Sequence, residues 1–180
     1  MDDKASFFNR IIRAAKLEVQ LYEEVEADKG AMWQAAAIVV LASLAAGIGA
    51  AAIGGMSGII TGTITALVGW LVWAYIVYLV GTKILPEPQT KTDYGELLRT
   101  VGFSSSPGLI RVLGLIPGLF WVVSLVATIW MIAAMVIAVR QALDYTSTYR
   151  AIGVCVIGWI IQIIVIMVIF AIFGGPTQPV

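Results

Sequence analysis

Histidine is absent from the 180 residues, and cysteine occurs once, at Cys155. A single thiol and no imidazole exclude an intrachain disulfide and a Cys/His metal centre. Charge is scarce too: Lys, Arg, Asp and Glu make up 12% of the chain, against about 25% in a soluble domain. The two signs cancel to a net charge of zero, which leaves no electrostatic footprint for nucleic acid. No lysine and no pair of carboxylates lies inside an apolar block. Acid–base and serine–lysine chemistry therefore have no constellation to work with. The expectation is a non-enzymatic protein without a cofactor. Cys155 sits within an apolar block and reads as a small packing residue.

What the chain has is hydrocarbon: 60% of its residues are hydrophobic. They gather in blocks near the roughly 20 residues with which a helix crosses a bilayer. Residues 31–52, 59–82, 119–139 and 151–173 each read as a span. Trp33 and Trp121 stand at span starts, where interfacial aromatics belong. Gly58, Gly62 and Ala66 are four apart, a ladder that lets helix backbones approach closely. It serves a hairpin within the chain or a homo-oligomer. The turn between the first two spans, Gly54-Gly55-Met56-Ser57-Gly58, has no charge. Pro86 and Pro88 break any helix in the loop 83–91. The tail, 174–180, is short and uncharged, and disorder is expected there.

Residues 1–30 are charged and form a cytoplasmic segment in this reading. Met1-Asp2-Asp3 opens without an apolar run before the first charges, which predicts no signal peptide. Phe8, Ile11, Ile12, Ala15, Val19 and Tyr22 recur at helical spacing and predict an amphipathic helix over 6–22. Arg10, Arg13 and Lys16 are placed as contacts to anionic headgroups if that helix lies in the lipid interface. Amphipathicity alone does not separate lipid from protein as the cover for such a face.

Residues 92–117 decide the topology. Asp93 and Glu96 have the spacing of a capping box, which starts a helix. Ser106 and Pro107 are an N-cap and first-helical-residue pair, so a second short helix follows a break at the serines and ends before Pro117. With five spans and the N-terminus inside, every one of the 11 Lys and Arg residues except Arg111 is cytoplasmic or near it. With four, 92–117 lies on the inner surface, and Arg140 and Arg150 move outside. The positive-inside rule prefers five. The polar loop near Arg140, Asp144 and Arg150 then carries Tyr145 and Tyr149 as interface aromatics. Arg111 falls within the membrane. It snorkels outward, binds an anionic group such as a lipid phosphate, or meets carbonyls freed at the break.

Several runs carry a family resemblance. They are Leu97-Leu98-Arg99-Thr100-Val101-Gly102-Phe103, Pro107, Ile116-Pro117, Ala138-Val139-Arg140-Gln141-Ala142-Leu143 and Tyr149-Arg150-Ala151-Ile152. Over residues 8–173 the chain resembles the Yip domain family of Ypt/Rab-GTPase-interacting membrane proteins and their prokaryotic relatives. Gly102-Phe103 stands where members usually have Gly-Tyr, and Leu21-Tyr22-Glu23-Glu24 replaces the Asp-Leu-Tyr-Gly-Pro element of eukaryotic members. The resemblance implies the prokaryotic branch and a multi-pass protein of a bacterial or archaeal inner membrane.

The fold expected is an all-α polytopic membrane bundle of five spans, with four as the alternative, behind an N-terminal amphipathic helix. The divisions are 1–30, 31–173 and 174–180. The function expected is organisation of the bilayer, or of partner proteins through residues 1–30, with a trafficking or membrane-shaping role implied by the resemblance. The alternative is a small transporter or channel built on the broken helix at Ser104–Pro107 and Arg111. Arg111, Ser104, Ser105 and Ser106 are the candidate lipid or ligand contacts, with the bilayer and an anionic lipid as partners. No membrane-embedded carboxylate is available to couple ions.

Overall fold

A computed structural model describes residues 6–54 and 58–173. Seven α-helices occur among them: α1 Phe7–Ala15, α2 Val19–Ala27, α3 Met32–Gly54, α4 Gly58–Leu79, α5 Tyr94–Phe103, α6 Phe120–Ala142 and α7 Thr148–Phe173. The tail and Gly55, Met56 and Ser57 of the first turn lie outside the described residues. Lys29–Ala50, Gly62–Ile84, Phe120–Ala142 and Thr148–Val165 are long and apolar enough to cross a membrane. Their outward faces are hydrocarbon: Ile60, Ile64 and Val68 on α4, Trp121, Leu125 and Ile129 on α6, Ile160, Ile163 and Met167 on α7. A bilayer supplies the apolar surroundings that such faces require.

The segment between the second and third of these spans also packs into the bundle. The capping box forms: Asp93 Oδ1 accepts from Glu96 N at 2.8 Å and Glu96 Oε2 from Asp93 N at 2.8 Å. α5 starts there and runs to Phe103; a 3-10 helix, Ser106–Leu115, continues it. A Cβ at Gly102 would meet Ala35, one at Gly108 would meet Ala42, and one at Gly49 would meet the Arg111 carbonyl. Positions 102, 108 and 111 thus match 35, 42 and 49 in the same order, so this segment runs in the same direction as α3.

Ser106 does not cap that helix. The N-cap position is Ser105, without a side-chain cap bond, and Ser106 Oγ is buried without a partner. The N-terminal helix expected over 6–22 is two helices. α1 stops in a Schellman motif, with Leu17 N on Ala14 O at 3.0 Å and Glu18 N on Arg13 O at 3.1 Å. Leu17 takes φ +62°, a conformation costing about 1–2 kcal/mol for a residue with a Cβ. No Gly or Pro marks the break.

Two cores result. One joins α4, α5, α6 and α7 through Val77, Val80, Leu97, Val139, Leu143, Val154 and Cys155. The other joins α1 and α2 to the bundle: Ile11, Ala14, Leu21, Tyr22 and Val25 pack with Ala35, Ile38, Phe103 and Ala138. Tyr145 is buried, not interfacial. Its hydroxyl lies 3.1 Å from Gly81 O and 2.7 Å from Leu85 O, carbonyls of and just past the π-turn Val80–Ile84 that ends α4. Burial pushes its phenol up to about 12. Tyr149 is exposed.

Candidate functional site

Two places on the bundle hold polar groups in unusual settings. The first is the attachment of α1 and α2. Arg10 is 5% exposed and bonds Glu24 at 2.9 Å, Asp28 at 2.8 Å and Gln34 at 3.0 Å. Arg13 bonds Glu18 at 3.0 Å and Glu24 at 2.7 Å. Burial pushes the Glu24 carboxyl up, but the bonds from Arg13 and Arg10 outweigh it and hold it below the usual range. The bond from Arg10 likewise lowers Asp28. Arg10 and Arg13 therefore serve an internal network and not headgroups, because acidic partners within reach satisfy them at fixed geometry. Lys16 is exposed. Phe8 and Ile12, two turns and one turn before it, are 73% and 54% exposed. They form an apolar edge on α1, whose opposite face is in the core. α1 itself lies beside the 3-10 helix and α6: Trp130 Nε1, ten residues into α6, donates to Ala15 O at 2.7 Å.

Arg99 locks α2. It is 4% exposed and donates to Val25 O at 2.9 Å and Glu26 O at 3.1 Å. These are orphan carbonyls at the helix C-terminus, where a cation also meets the negative end of the dipole. A charged residue in a helix next to a loop gave no sign of this in the sequence. Below Arg99, Glu23, Glu26, Glu96 and Asp144 border a polar cleft of about 840 Å³ with Arg140 and Gln141. Burial, then the negative charges of Asp144 and Glu96, push Glu26 up to about 7; Arg99 opposes them. Among the described residues no group of three acidic or thiol side chains is placed to hold a metal.

The second place is a cavity of about 690 Å³ bordered by α3, α4, α6, α7 and the segment from α5 to the 3-10 helix. Trp73 and Trp159 stack at one end, centroids 6.0 Å apart, and Trp73 Nε1 donates to Met135 Sδ at 3.2 Å. Arg111 is on the wall, its Nη2 donating to Thr128 Oγ1 at 3.1 Å. The guanidinium thus turns to α6, and neither to Pro117 nor to carbonyls freed at the break. Ser105 lines the cavity, but Ser104 does not: it donates to Val101 O at 2.7 Å. Nor does Ser106 border it. Gly62 and Ala66 line it as well, and a Cβ at Gly62 would meet nothing within 4 Å. The ladder therefore leaves a gap there, while close approach falls at Gly49, Gly102 and Gly108. The surroundings of Gly58 lie outside the described residues.

The family follows from a comparison of the sequence. A model of the Yip1 domain matches residues 19–170. The chain belongs to the Yip1 domain family. No curated protein and no solved structure matches it. The matched Yip1 domain starts at α2 and ends in α7, leaving α1 outside. The residues that carried the resemblance are mostly core: Leu97, Val101, Phe103, Ala138, Leu143 and Ala151 are buried. Phe103, where a tyrosine is usual, is fully buried against Leu21 and Tyr22. The Yip1 pattern here is a packing pattern, and Arg111 stands apart from it.

Proposed function

We propose that this Yip1-domain protein is a non-enzymatic organiser of the bilayer, with α1 as a one-sided wedge in one leaflet of a prokaryotic inner membrane. The observation that carries the reading is the Phe8–Ile12 edge. The chain invests two arginines, three acidic residues and Trp130 in holding α1 still, yet leaves its most apolar edge uncovered. An amphipathic helix held in one leaflet spreads that leaflet alone, and so couples to curvature. The N-terminus is cytoplasmic in this proposal. Arg10, Arg13, Arg99, Arg140 and Arg150 gather at the end that bears α2 and the loops before α5 and α7. A cytoplasmic protein partner would use the same edge.

The test is reconstitution at increasing protein-to-lipid ratio, with vesicle size read by electron microscopy. Wild type should give smaller, more curved vesicles, and Phe8→Ser/Ile12→Ser should lose the effect while keeping its melting temperature. Removal of residues 1–30 is not a suitable control, because Leu21, Tyr22 and Val25 belong to the core. Equal vesicle sizes for wild type and variant would sink the proposal. Solute flux from the same vesicles would favour a small transporter, the reading that the cavity beside Arg111 supports.

A further inference from the structure

The cavity beside Arg111 poses a problem of charge. A guanidinium has five N–H donors and keeps its proton. Here one donor reaches the neutral Thr128 Oγ1, whose own proton goes to Ser124 O at 2.7 Å. Among the described residues all five ion pairs lie elsewhere, and none involves Arg111. Thr128 is eight residues into α6, about 12 Å from its start. Trp121 marks that start and is 75% exposed, as an interfacial tryptophan is. The charge is therefore about 10 Å below the aromatic belt, held beside the exposed hydroxyl of Thr128. Apart from Ser43, Ser105 and Gln162 the rest of the lining is apolar, with Val39, Trp70 and Met131 among it.

The occupant must supply a negative charge to Arg111 and hydrocarbon to the remaining walls. A free inorganic anion supplies only the first. A transmembrane helix of a second copy supplies only the second. From Thr128 to Met135, beside the stacked tryptophans, α6 rises about 10 Å. That depth takes much of an acyl chain, since one leaflet of a bilayer is about 15 Å of hydrocarbon.

We propose that the cavity is a binding site for an anionic phospholipid of the surrounding bilayer, its phosphate on Arg111 and one acyl chain against the Trp73–Trp159 end. The lipid sits sunk into the protein, below the level of its bulk neighbours. Gly62 and Gly69 have open space before them and border the cavity, so their lack of side chains leaves the chain its room. The planar guanidinium forks onto two phosphate oxygens, which an ammonium cannot do.

The experiment is the melting temperature of delipidated protein in neutral detergent, with phosphatidylglycerol, phosphatidylcholine, oleate or inorganic phosphate added. Native mass spectrometry counts the lipid retained. Phosphatidylglycerol should stabilise wild type and remain bound as one molecule, and the other three should not match it. Arg111→Leu should abolish the gain, and Arg111→Lys should weaken binding several-fold. Gly62→Leu/Gly69→Leu should abolish it too, with Arg111 intact, because the leucines fill the chain's space. If Arg111→Leu fails to fold, the glycine pair still tests the site. Equal stabilisation of wild type and the glycine variant overturns the proposal, since the lipid then binds elsewhere. A match by inorganic phosphate, oleate or phosphatidylcholine overturns it as well.

Discussion

Gly49→Ala reports whether α5 and the 3-10 helix truly lie against α3. The added Cβ would stand 2.0 Å from Arg111 O and 3.0 Å from its carbonyl carbon. Ordinary contact begins near 3.4 Å, so the two backbones must part by more than 1 Å. Overpacking costs about 1–3 kcal/mol in a core, and a clash with backbone belongs at the upper end, since no rotamer relieves it. Alanine gains about 0.8–1.0 kcal/mol over glycine inside a helix, which leaves a net loss of about 2 kcal/mol. Gly62→Ala is the matched control. It offers the same helix gain with nothing within 4 Å of the new methyl, so it should stabilise by about 1 kcal/mol. The gap between the two variants is then about 3 kcal/mol. For a chain of this length each kcal/mol moves the melting temperature by about 2–4 °C. Thermal unfolding in detergent, followed by circular dichroism, resolves a gap of that size. If Gly49→Ala proves as stable as Gly62→Ala, the parallel packing of the 3-10 helix on α3 is wrong.

Three further outcomes are expected. Arg99→Leu strips two carbonyls of a charged donor worth about 1.5–3 kcal/mol each; it should lower stability by about 3–6 kcal/mol and speed tryptic cleavage at Lys16 and Lys29, and unchanged cleavage would mean that Arg99 does not hold α2. Trp130→Phe removes the donor to Ala15 O and should cost about 1 kcal/mol, with faster hydrogen exchange confined to α1; exchange spread over α6 would contradict a local role. Glu26 has its folded value raised to about 7 from 4.5, so between these pH values the folded state holds more protons than the unfolded one. The stability it contributes is present at low pH and is lost as pH rises through about 7. Glu26→Gln should accordingly stabilise at pH 8 and change little at pH 4, and a pH-independent difference would refute the assignment.

The amino-acid sequence alone determined the class and most of the elements. Runs of about 20 apolar residues suit a bilayer as helices, because lipid offers no partner and every backbone group must be bonded within the segment. Local chemistry set the ends: the Asp93–Glu96 box and Pro107 act over three or four residues, and both were legible. Tertiary structure decided what depends on distant partners. Leu17 breaks the N-terminal helix without Gly or Pro, because Tyr22, Trp130 and the Arg13–Glu24 pair exist only once α1 has folded back. Arg10 and Arg13 looked like headgroup contacts until Glu24 and Asp28, more than ten residues on, came within 3 Å. Arg99 and Arg111 share a residue type and similar sequence surroundings. One caps a helix that lies 73 residues earlier in the chain, and the other faces a cavity lined by five segments. No periodicity separates them, because the difference lies in which neighbours the bundle brings up to each guanidinium.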